Sequence, residues 1–202
     1  WIPNGFYYDG EHVQPAKHPY YFAGLYYLQE PSAMTPANRL PVDPGDKVMD
    51  VCAAPGGKSF AAAIDMENRG EIISCDIHPH KIKLIEAGRE RLGLSIISPC
   101  LQNAAELRED WLDGFDTVFA DVPCSGLGII RKKPDIRYKD PEKLKGLPGV
   151  QRRILDNCSR YVRPGGVLLY STCTLLRREN EDVVDGVLAA HSQFELEAFS
   201  LS

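Results

Sequence analysis

The sequence predicts an α/β fold with a mostly parallel, twisted sheet and helices on both of its faces. Strand-like and helix-like patterns alternate from residue 47 onward, and such repeated units form parallel sheets with right-handed crossovers. The strand-like runs are largely apolar, as strands buried under two layers of helices require. The 202 residues, 44% of them hydrophobic and 25% charged, suit one globular unit with a full core.

The first three strands and two helices are predicted from apolar runs and from the residues that end them. Pro79 suits the first turn of a helix, while Gly70 and Gly93 suit positions where helices stop. The predicted elements are, in order, strand Val48–Cys52, helix Lys58–Met66, strand Glu71–Cys75, helix Pro79–Leu92 and strand Ile96–Leu101.

The second half of the sheet is predicted in the same way. Ile154, Leu155 and Cys158 fall on one face of a helical pattern and are expected to point inward. The predicted elements are strand Thr117–Ala120, helix Val150–Val162, a turn at Pro164–Gly166, strand Val167–Ser171, helix Glu179–Ala190 and a sixth strand at Phe194–Phe199. Because the chain stops at Ser202, we expect the sheet to be truncated after strand six.

Residues 1–45 differ in composition from the rest of the chain. They hold nine of the 18 aromatic residues and seven of the 15 prolines. This predicts an irregular, aromatic- and Pro-rich N-terminal lead-in that packs on a core formed by residues 46–202. Since the chain opens with Trp1 and not with Met, we expect it to be a piece of a longer protein.

Charge is distributed unevenly along the chain. There are 23 basic and 28 acidic residues, a net charge of −5, which by itself argues weakly against a nucleic-acid partner. Residues 131–163, however, hold 11 Lys and Arg against four Asp and Glu, a balance of +7. Such a segment is either a basic face that meets phosphates or an ordinary solvated helix face.

The six cysteines lie 15 to 34 residues apart, without a C-x-x-C pair or a nearby histidine cluster. This spacing argues against a zinc site and against a disulfide framework. No apolar run approaches the ~20 residues of a membrane span, and no signal peptide opens the chain. We therefore expect no metal, no membrane association and a cytoplasmic setting in which thiols are reduced.

The segment between the first strand and the first helix is rich in small residues, which is typical of a ligand loop. It reads Cys52-Ala53-Ala54-Pro55-Gly56-Gly57-Lys58, and small residues here let a ligand approach the free N–H groups of the helix. The segment lacks the first glycine of a P-loop and lacks G-x-G-x-x-G. Asp76, 19 residues after Gly57 at the end of strand two, suits a ribose diol. A nucleoside-type cofactor site and a purely structural turn are the two interpretations.

Two cysteines follow strands four and five, at the edge where parallel sheets bind ligands. The segments are Asp121-Val122-Pro123-Cys124 and Ser171-Thr172-Cys173. A thiolate here suits attack on C6 of a pyrimidine, which turns C5 into a carbon able to accept a methyl group. Asp121 would bond the N3 side of the ring, and the second thiol would act as a base. Burial in the core is expected for the remaining candidates Cys75, Cys100 and Cys158.

These motifs occur in an order that resembles the RsmB/Nop/Sun family of RNA cytosine-C5 methyltransferases. They span nearly all of residues 20–190 and comprise residues 50–58, residues 121–126, Ser171-Thr172-Cys173 and Glu179-Asn180-Glu181. Residues 27–34 are similar to the lead-in of the bacterial RsmF-like branch, which acts on 16S rRNA.

The resemblance implies a Rossmann-like methyltransferase fold, S-adenosylmethionine as donor and RNA as partner. The RNA would be ribosomal RNA or a small-subunit particle, with transfer RNA as the alternative. Cys173 would be the nucleophile and Cys124 would help to release the product, whereas DNA cytosine methyltransferases use the Pro-Cys cysteine as nucleophile. The residues implied to line the donor are Cys52, Ala53, Ala54, Pro55, Gly56, Gly57, Lys58, Asp76, Asn103 and Asp121.

Two features depart from the family pattern. Asn103 stands where the family usually has Asp after strand three. We expect weaker donor binding but not its loss, because an amide oxygen still accepts a hydrogen bond from the adenine amino group. RsmF-like proteins also carry more N-terminal sequence and a C-terminal RNA-binding part, so we expect a catalytic core cut from such a protein. Two other functions stay open, an NAD-dependent oxidoreductase of similar topology and a catalytically silent RNA-binding module.

Overall fold

A five-stranded parallel sheet organises the chain. The structure is a computed structural model that describes residues 5–198. Neighbouring strands are hydrogen-bonded in the order β3-β2-β1-β4-β5, and every pair is parallel. The strands are β1 (Lys47–Asp50), β2 (Glu71–Asp76), β3 (Ile97–Leu101), β4 (Phe115–Asp121) and β5 (Val162–Ser171). The predicted α/β fold with a parallel sheet is confirmed.

Helices cover both faces of the sheet, because successive strand residues point to opposite sides. Val48 packs with α3 and α4 in one buried cluster, whereas its neighbour Met49 packs with α6 and α7 in the other. None of the helices between residues 5 and 198 is long and apolar enough to cross a membrane. The α-helices are α1 (Pro19–Phe22), α2 (Pro31–Asn38), α3 (Gly57–Asp65), α4 (Pro79–Leu92), α5 (Pro141–Leu144), α6 (Leu147–Tyr161) and α7 (Glu181–Ala190).

Most predicted boundaries agree with the structure to within three residues. Helix α4 has the predicted limits, and Gly93 ends it in a left-handed conformation with φ 68°. Ile154, Leu155 and Cys158 are buried on α6 as expected. Apolar periodicity was a sufficient guide here, since each of these elements buries one face against the sheet.

Two predictions for the C-terminal part of the chain were wrong. Residues 194–198 form no strand: Phe194 packs against the core beside α7, and residues 195–198 are exposed. The sheet therefore ends at β5 in the described residues, and Phe199 lies outside them. The turn predicted at Pro164–Gly166 is instead part of β5, where the pairing shifts register opposite Asp116. Gly165, with φ +80°, lets the strand bulge at that point.

The lead-in lies against the helices on one side of the sheet. The ring of Tyr27 meets that of Phe60 in α3 edge to face, with 5.3 Å between centroids. The guanidinium of Arg91 in α4 lies 4.1 Å from the ring centroid of Tyr21 and donates hydrogen bonds to the carbonyls of Tyr21 and Tyr26. These contacts bring the lead-in next to the loop that precedes α3.

The order of the strands places a switch point between β1 and β4. Chain connections leave these two neighbouring strands in opposite directions, toward β2 on one side and β5 on the other. Ligands of open α/β sheets bind at this point, beyond the carboxyl ends of the strands. The residues that follow β1, β2, β4 and β5 therefore share one edge of the sheet.

Candidate active site

An ion pair joins the loop after β1 to the end of β4. Lys58, in the first turn of α3, places its Nζ 2.5 Å from Oδ2 of Asp121. The other carboxylate oxygen of Asp121 accepts a hydrogen bond of 2.6 Å from the hydroxyl of Ser171, at the end of β5. Both charged side chains are less than one-third exposed, so water screens the pair incompletely. Lys58 belongs to the predicted donor loop, and its ion pair with Asp121 links that loop to the end of β4, which precedes Cys124.

The two strand-end cysteines are in direct contact. Sγ of Cys124 and Sγ of Cys173 are 3.0 Å apart, and both thiols are free. The backbone N–H of Cys173 also donates to Sγ of Cys124, at 3.2 Å. Cys173 is exposed and Cys124 is half-buried, so a molecule arriving from solvent meets Cys173 first.

The contact between the thiols changes their acidity in opposite directions. A hydrogen bond from Cys124 lowers the pKa of Cys173 to about 7. The same hydrogen bond, followed by burial, raises the pKa of Cys124. Since the thiolate is the nucleophile, this electrostatic arrangement favours Cys173 as the attacking sulfur near neutral pH.

The loop from Cys52 to Lys58 forms a cradle at the start of α3. Gly56 precedes the helix with φ 109°, and a Cβ there would lie 2.4 Å from the Phe60 ring. No side chain caps this end of the helix, so its first N–H groups are available to a ligand. A Cβ on Gly57 would lie 2.8 Å from the Gln29 side chain, so the lead-in packs over the loop here. Of the other residues in the loop, the structure has Ala53 buried, Pro55 exposed and Cys52 and Ala54 half-buried.

Asp76 stands at the end of β2 with one carboxylate oxygen still able to accept hydrogen bonds. The side chain is 5% exposed, and its Oδ1 accepts the backbone N–H of His78 at 3.0 Å. The nearest cation to Oδ2 is Nζ of Lys81 at 3.7 Å, an ion-pair distance that is too long for a hydrogen bond. A carboxylate oxygen at this edge can accept hydrogen bonds from the hydroxyls of a ribose, which supports the interpretation as a nucleoside-type cofactor site.

Asn103 lies next to Asp76 but uses its side chain locally. The backbone N–H of Gln102 donates to the carbonyl of Asp76, which ties the two loops together. The amide oxygen of Asn103 accepts the N–H of Ala105, and its NH₂ donates to Glu106. The oxygen retains one lone pair for a ligand.

The basic segment 131–163 does not form one continuous face. Arg131, Lys132 and Lys133 are exposed close to the Pro-Cys loop, and Nζ of Lys139 donates to the carbonyl of Ser125. Arg163, by contrast, pairs with Asp116 at the start of β4. Since α6 carries the chain back to the opposite edge of the sheet, Arg160 in the last turn of this helix also lies there. The interpretation of residues 131–163 as a single surface is therefore wrong, because the segment crosses the whole depth of the sheet.

For several polar residues around the cysteines, no role was predicted from the sequence. Glu179 and Asn180 belong to a recognised motif, but no contact was predicted for their side chains. Gln151 lies within a predicted helix and was not predicted to have a polar contact. A signal for Gln151 was present, because it shares a helical face with the apolar residues at 154, 155 and 158. It is fully buried, as is Glu179. Ser171 also belongs to a recognised motif, but its hydrogen bond to Asp121 was not predicted.

Comparison with known proteins identifies the family. A sequence profile described as 16S rRNA methyltransferase RsmB/F matches residues 37–202. The chain belongs to this family. Among curated relatives, the Bacillus subtilis (strain 168) protein "Probable ribosomal RNA small subunit methyltransferase B" is 42% identical over 170 residues, which cover 83% of this chain and 38% of that protein. Ribosomal RNA small subunit methyltransferase F of Klebsiella pneumoniae (strain 342) is 35% identical and covers 96% of this chain and 42% of that protein.

Solved structures agree with the RsmB/F assignment. NSun6 from Pyrococcus horikoshii, solved with SFG, an analogue of S-adenosylmethionine, aligns with a TM-score of 0.78 at 28% identity and covers 88% of this chain and 46% of that one. A methyltransferase homologue from the same organism gives a TM-score of 0.78 at 32% identity, covering 88% and 56%. The Rossmann-like methyltransferase fold and the S-adenosylmethionine cofactor expected from the sequence are confirmed for the family. The chain spans about two-fifths of the length of the curated relatives it matches.

Proposed function

We propose that this chain carries the catalytic centre of an S-adenosylmethionine-dependent enzyme that methylates C5 of a cytosine in ribosomal RNA. The observation that supports it most is the pair of thiols 3.0 Å apart at the edge that also holds Asp76. Family membership supports methyl transfer to 16S rRNA, while the thiol pair supports cytosine C5 as the acceptor.

In the proposed reaction the Cys173 thiolate adds to C6 of the cytosine. The new S–C bond pushes electron density toward the N3 side of the ring and makes C5 nucleophilic. The Asp121–Lys58 pair faces the same edge of the sheet and would interact with the ring on its N3 side, where charge develops. The donor, when bound, supplies an electrophilic methyl group that C5 accepts.

Product release requires a base for the C5 proton. Cys124 is assigned this role because its sulfur lies 3.0 Å from the sulfur of Cys173 and is therefore next to the adduct that Cys173 forms. Cys124 first transfers its own proton to water, and the resulting thiolate takes the proton from C5. Removal of the C5 proton then restores the C5–C6 double bond and expels the Cys173 thiolate.

The donor would lie between the α3 cradle and Asp76. The helix N-terminus and Gly56 allow close backbone approach, the Asp76 carboxylate would bind the ribose hydroxyls, and Asn103 lies beside it for the adenine. These residues would orient the donor toward the switch point between β1 and β4, where Asp121 lies.

RNA would approach over the loops that follow β4 and β5. A groove there is lined by apolar side chains, among them Leu127, Ile136 and Leu144, and by the basic side chains of Arg137, Lys139, Arg177 and Arg178, with Asp182 paired to Arg177. Apolar surface suits an unstacked base and cations suit the phosphates around it. Extrusion of the cytosine favours a loop or an opened helix as the target.

The test is methyl transfer from labelled S-adenosylmethionine to an unmodified 16S rRNA transcript, followed by nuclease digestion and mass spectrometry of the nucleosides. We expect label in 5-methylcytosine, and none with Cys173→Ala. Label in another nucleoside would overturn the assignment to cytosine C5. RNA binding without any transfer would indicate a silent binding module, and selective binding of NAD in a parallel titration would indicate an oxidoreductase.

A further inference from the structure

Two consecutive side chains before α7, one buried and one half-buried, contact the loops of both cysteines. We propose that Glu179 and Asn180 are positioning residues that hold the two thiols in register, Glu179 through the Cys124 loop and Asn180 through the Cys173 loop. This inference rests on the proposed function, since it assigns the two residues to separate steps of that reaction. Neither side chain reaches a sulfur atom in a hydrogen bond, so both act through the neighbouring residues.

Glu179 fixes the chain on both sides of Cys124. Its Oε2 accepts the backbone N–H of Ser125 at 2.8 Å and the side-chain N–H of Gln151 at 3.0 Å. The same Nε2 of Gln151 donates to the carbonyl of Pro123, also at 3.0 Å. The residues immediately before and after Cys124 are thus tied to one carboxylate. This leaves the thiol little freedom to move relative to α6.

Asn180 holds the chain on both sides of Cys173. Its Oδ1 accepts the hydroxyl of Thr172 at 2.6 Å, and its Nδ2 donates to the carbonyls of Thr174 at 3.2 Å and of Leu176 at 3.1 Å. The residues on either side of Cys173 are therefore held by one amide. Because the donors and the acceptor of an amide are both needed, neither Asp nor Leu would reproduce this set.

The two loops are also joined to each other. The hydroxyls of Ser125 and Thr174 are 2.7 Å apart in a buried contact, and the N–H of Gly128 donates to the carbonyl of Cys173 at 3.0 Å. Since Glu179 and Asn180 are consecutive, a single short segment before α7 sets the distance between the sulfurs.

The burial of Glu179 indicates more than a structural hydrogen bond. The residue is 0% exposed, and its Oε1, like Oε1 of Gln151, has no hydrogen-bond partner among the described residues. A buried carboxyl oxygen without a partner destabilises the fold, so stability alone does not account for a carboxyl group at this position. A need to align the reacting groups does account for it, because misplacement of a reacting group by about 1 Å lowers the rate about 100-fold.

The two residues give separable kinetic effects in the full-length protein with S-adenosylmethionine and a 16S rRNA transcript. Glu179→Ala displaces Cys124, so attack and methyl transfer proceed while release slows about tenfold. A covalent protein–RNA species then accumulates on denaturing gels. Asn180→Ala displaces Cys173, so in a Cys124→Ala background the covalent species forms about tenfold more slowly. Glu179→Ala in that background leaves its rate of formation unchanged.

Three further variants separate positioning from loss of fold. Glu179→Gln keeps one oxygen able to accept both hydrogen bonds and should restore release. Gln151→Met, of similar size, removes the bond to Pro123 and should slow release as Glu179→Ala does. Glu181→Ala changes an exposed carboxylate in the same segment and should behave as wild type. Affinity for the donor, measured by calorimetry, should be the same in all of them.

The outcomes distinguish this inference from the proposed function. If Cys124→Ala itself accumulates no covalent species, the covalent reaction is wrong. If Cys124→Ala accumulates it but Glu179→Ala and Gln151→Met release RNA at the wild-type rate, Glu179 is not a positioning residue. If Asn180→Ala forms the species at the unchanged rate in the Cys124→Ala background, the same conclusion holds for Asn180.

Discussion

Three aspartates at strand ends have different surroundings, and their chemistry follows from those surroundings. Asp50, after β1, is 2% exposed and is held by the hydroxyl of Ser59, and burial raises its pKa to about 7. Asp76, after β2, keeps one oxygen open at the edge of the sheet. Asp121, after β4, is ion-paired with Lys58. The sequence shows an aspartate at the end of each of three strands. Only the fold shows that Asp50 is buried, whereas Asp76 has an oxygen available to a ligand.

Replacement of Asp76 is predicted to weaken donor binding without unfolding the protein. A charge-assisted hydrogen bond is worth roughly 1.5–3 kcal/mol, so Asp76→Ala should lower the affinity for S-adenosylmethionine by about one to two powers of ten. Isothermal titration calorimetry measures this directly, with the exposed Glu86→Ala on α4 as control. Equal affinity in the folded Asp76 variant would remove this residue from the site.

The raised pKa of Asp50 predicts a pH-dependent stability. Between the ordinary pKa of an aspartate, about 4, and the folded value of about 7, the unfolded chain releases a proton that the folded chain keeps. Raising the pH through this window therefore destabilises the fold, by about 1.4 kcal/mol per pKa unit. Asp50→Asn, which does not titrate, should gain stability relative to wild type from pH 4 to pH 7 in urea unfolding. A difference that stays constant across this range contradicts the assignment.

The acidity of Cys173 is predicted to depend on Cys124. In the intact pair, alkylation of Cys173 by iodoacetamide should rise with pH around a midpoint of about 7, because only the thiolate reacts. In Cys124→Ala the hydrogen bond is removed and the midpoint should move up toward the ordinary value of about 8.5. Mass spectrometry of the peptide that contains Cys173 follows the reaction. An unchanged midpoint would show that Cys124 does not set the acidity.

Element boundaries were predictable where burial alone determines them and not where polar contacts do. Helix α4 matches its periodic pattern because one face packs on the sheet. Helix α7 begins at Glu181, two residues later than predicted, since Glu179 and Asn180 turn their side chains toward the cysteine loops. The bulge in β5 depends on pairing with β4, and such long-range pairing is not encoded in local composition.

The basic residues near the Pro-Cys loop are predicted to bind RNA, and those at the opposite edge of the sheet are not. Reversal of Lys132 and Lys133 to Glu should weaken RNA binding and reduce the salt slope by about one unit for each phosphate that is no longer neutralised. The matched control reverses Arg69 and Arg160, which lie at the other edge. Filter binding at several salt concentrations measures both. An equal weakening in the two double variants would indicate a nonspecific charge effect.

At the scale of the whole molecule, the parallel sheet explains why the candidate site could be predicted from the sequence. Segments from residues 52 to 173 converge because parallel strands place their carboxyl ends at one edge. The proximity of Cys124 to Cys173 follows from the pairing of β4 with β5. The buried carboxylate network behind the thiols could not be predicted in this way, because it joins α6, the segment before α7 and a loop.

The two thiols have different roles in the proposed reaction, and covalent trapping distinguishes those roles. Cys173→Ala and Cys124→Ala are each incubated with S-adenosylmethionine and the 16S rRNA transcript and run on a denaturing gel. We expect a stable protein–RNA band with Cys124→Ala, because attack occurs and release does not, and no band with Cys173→Ala. A band from Cys173→Ala but none from Cys124→Ala would make Cys124 the nucleophile and contradict the assignment.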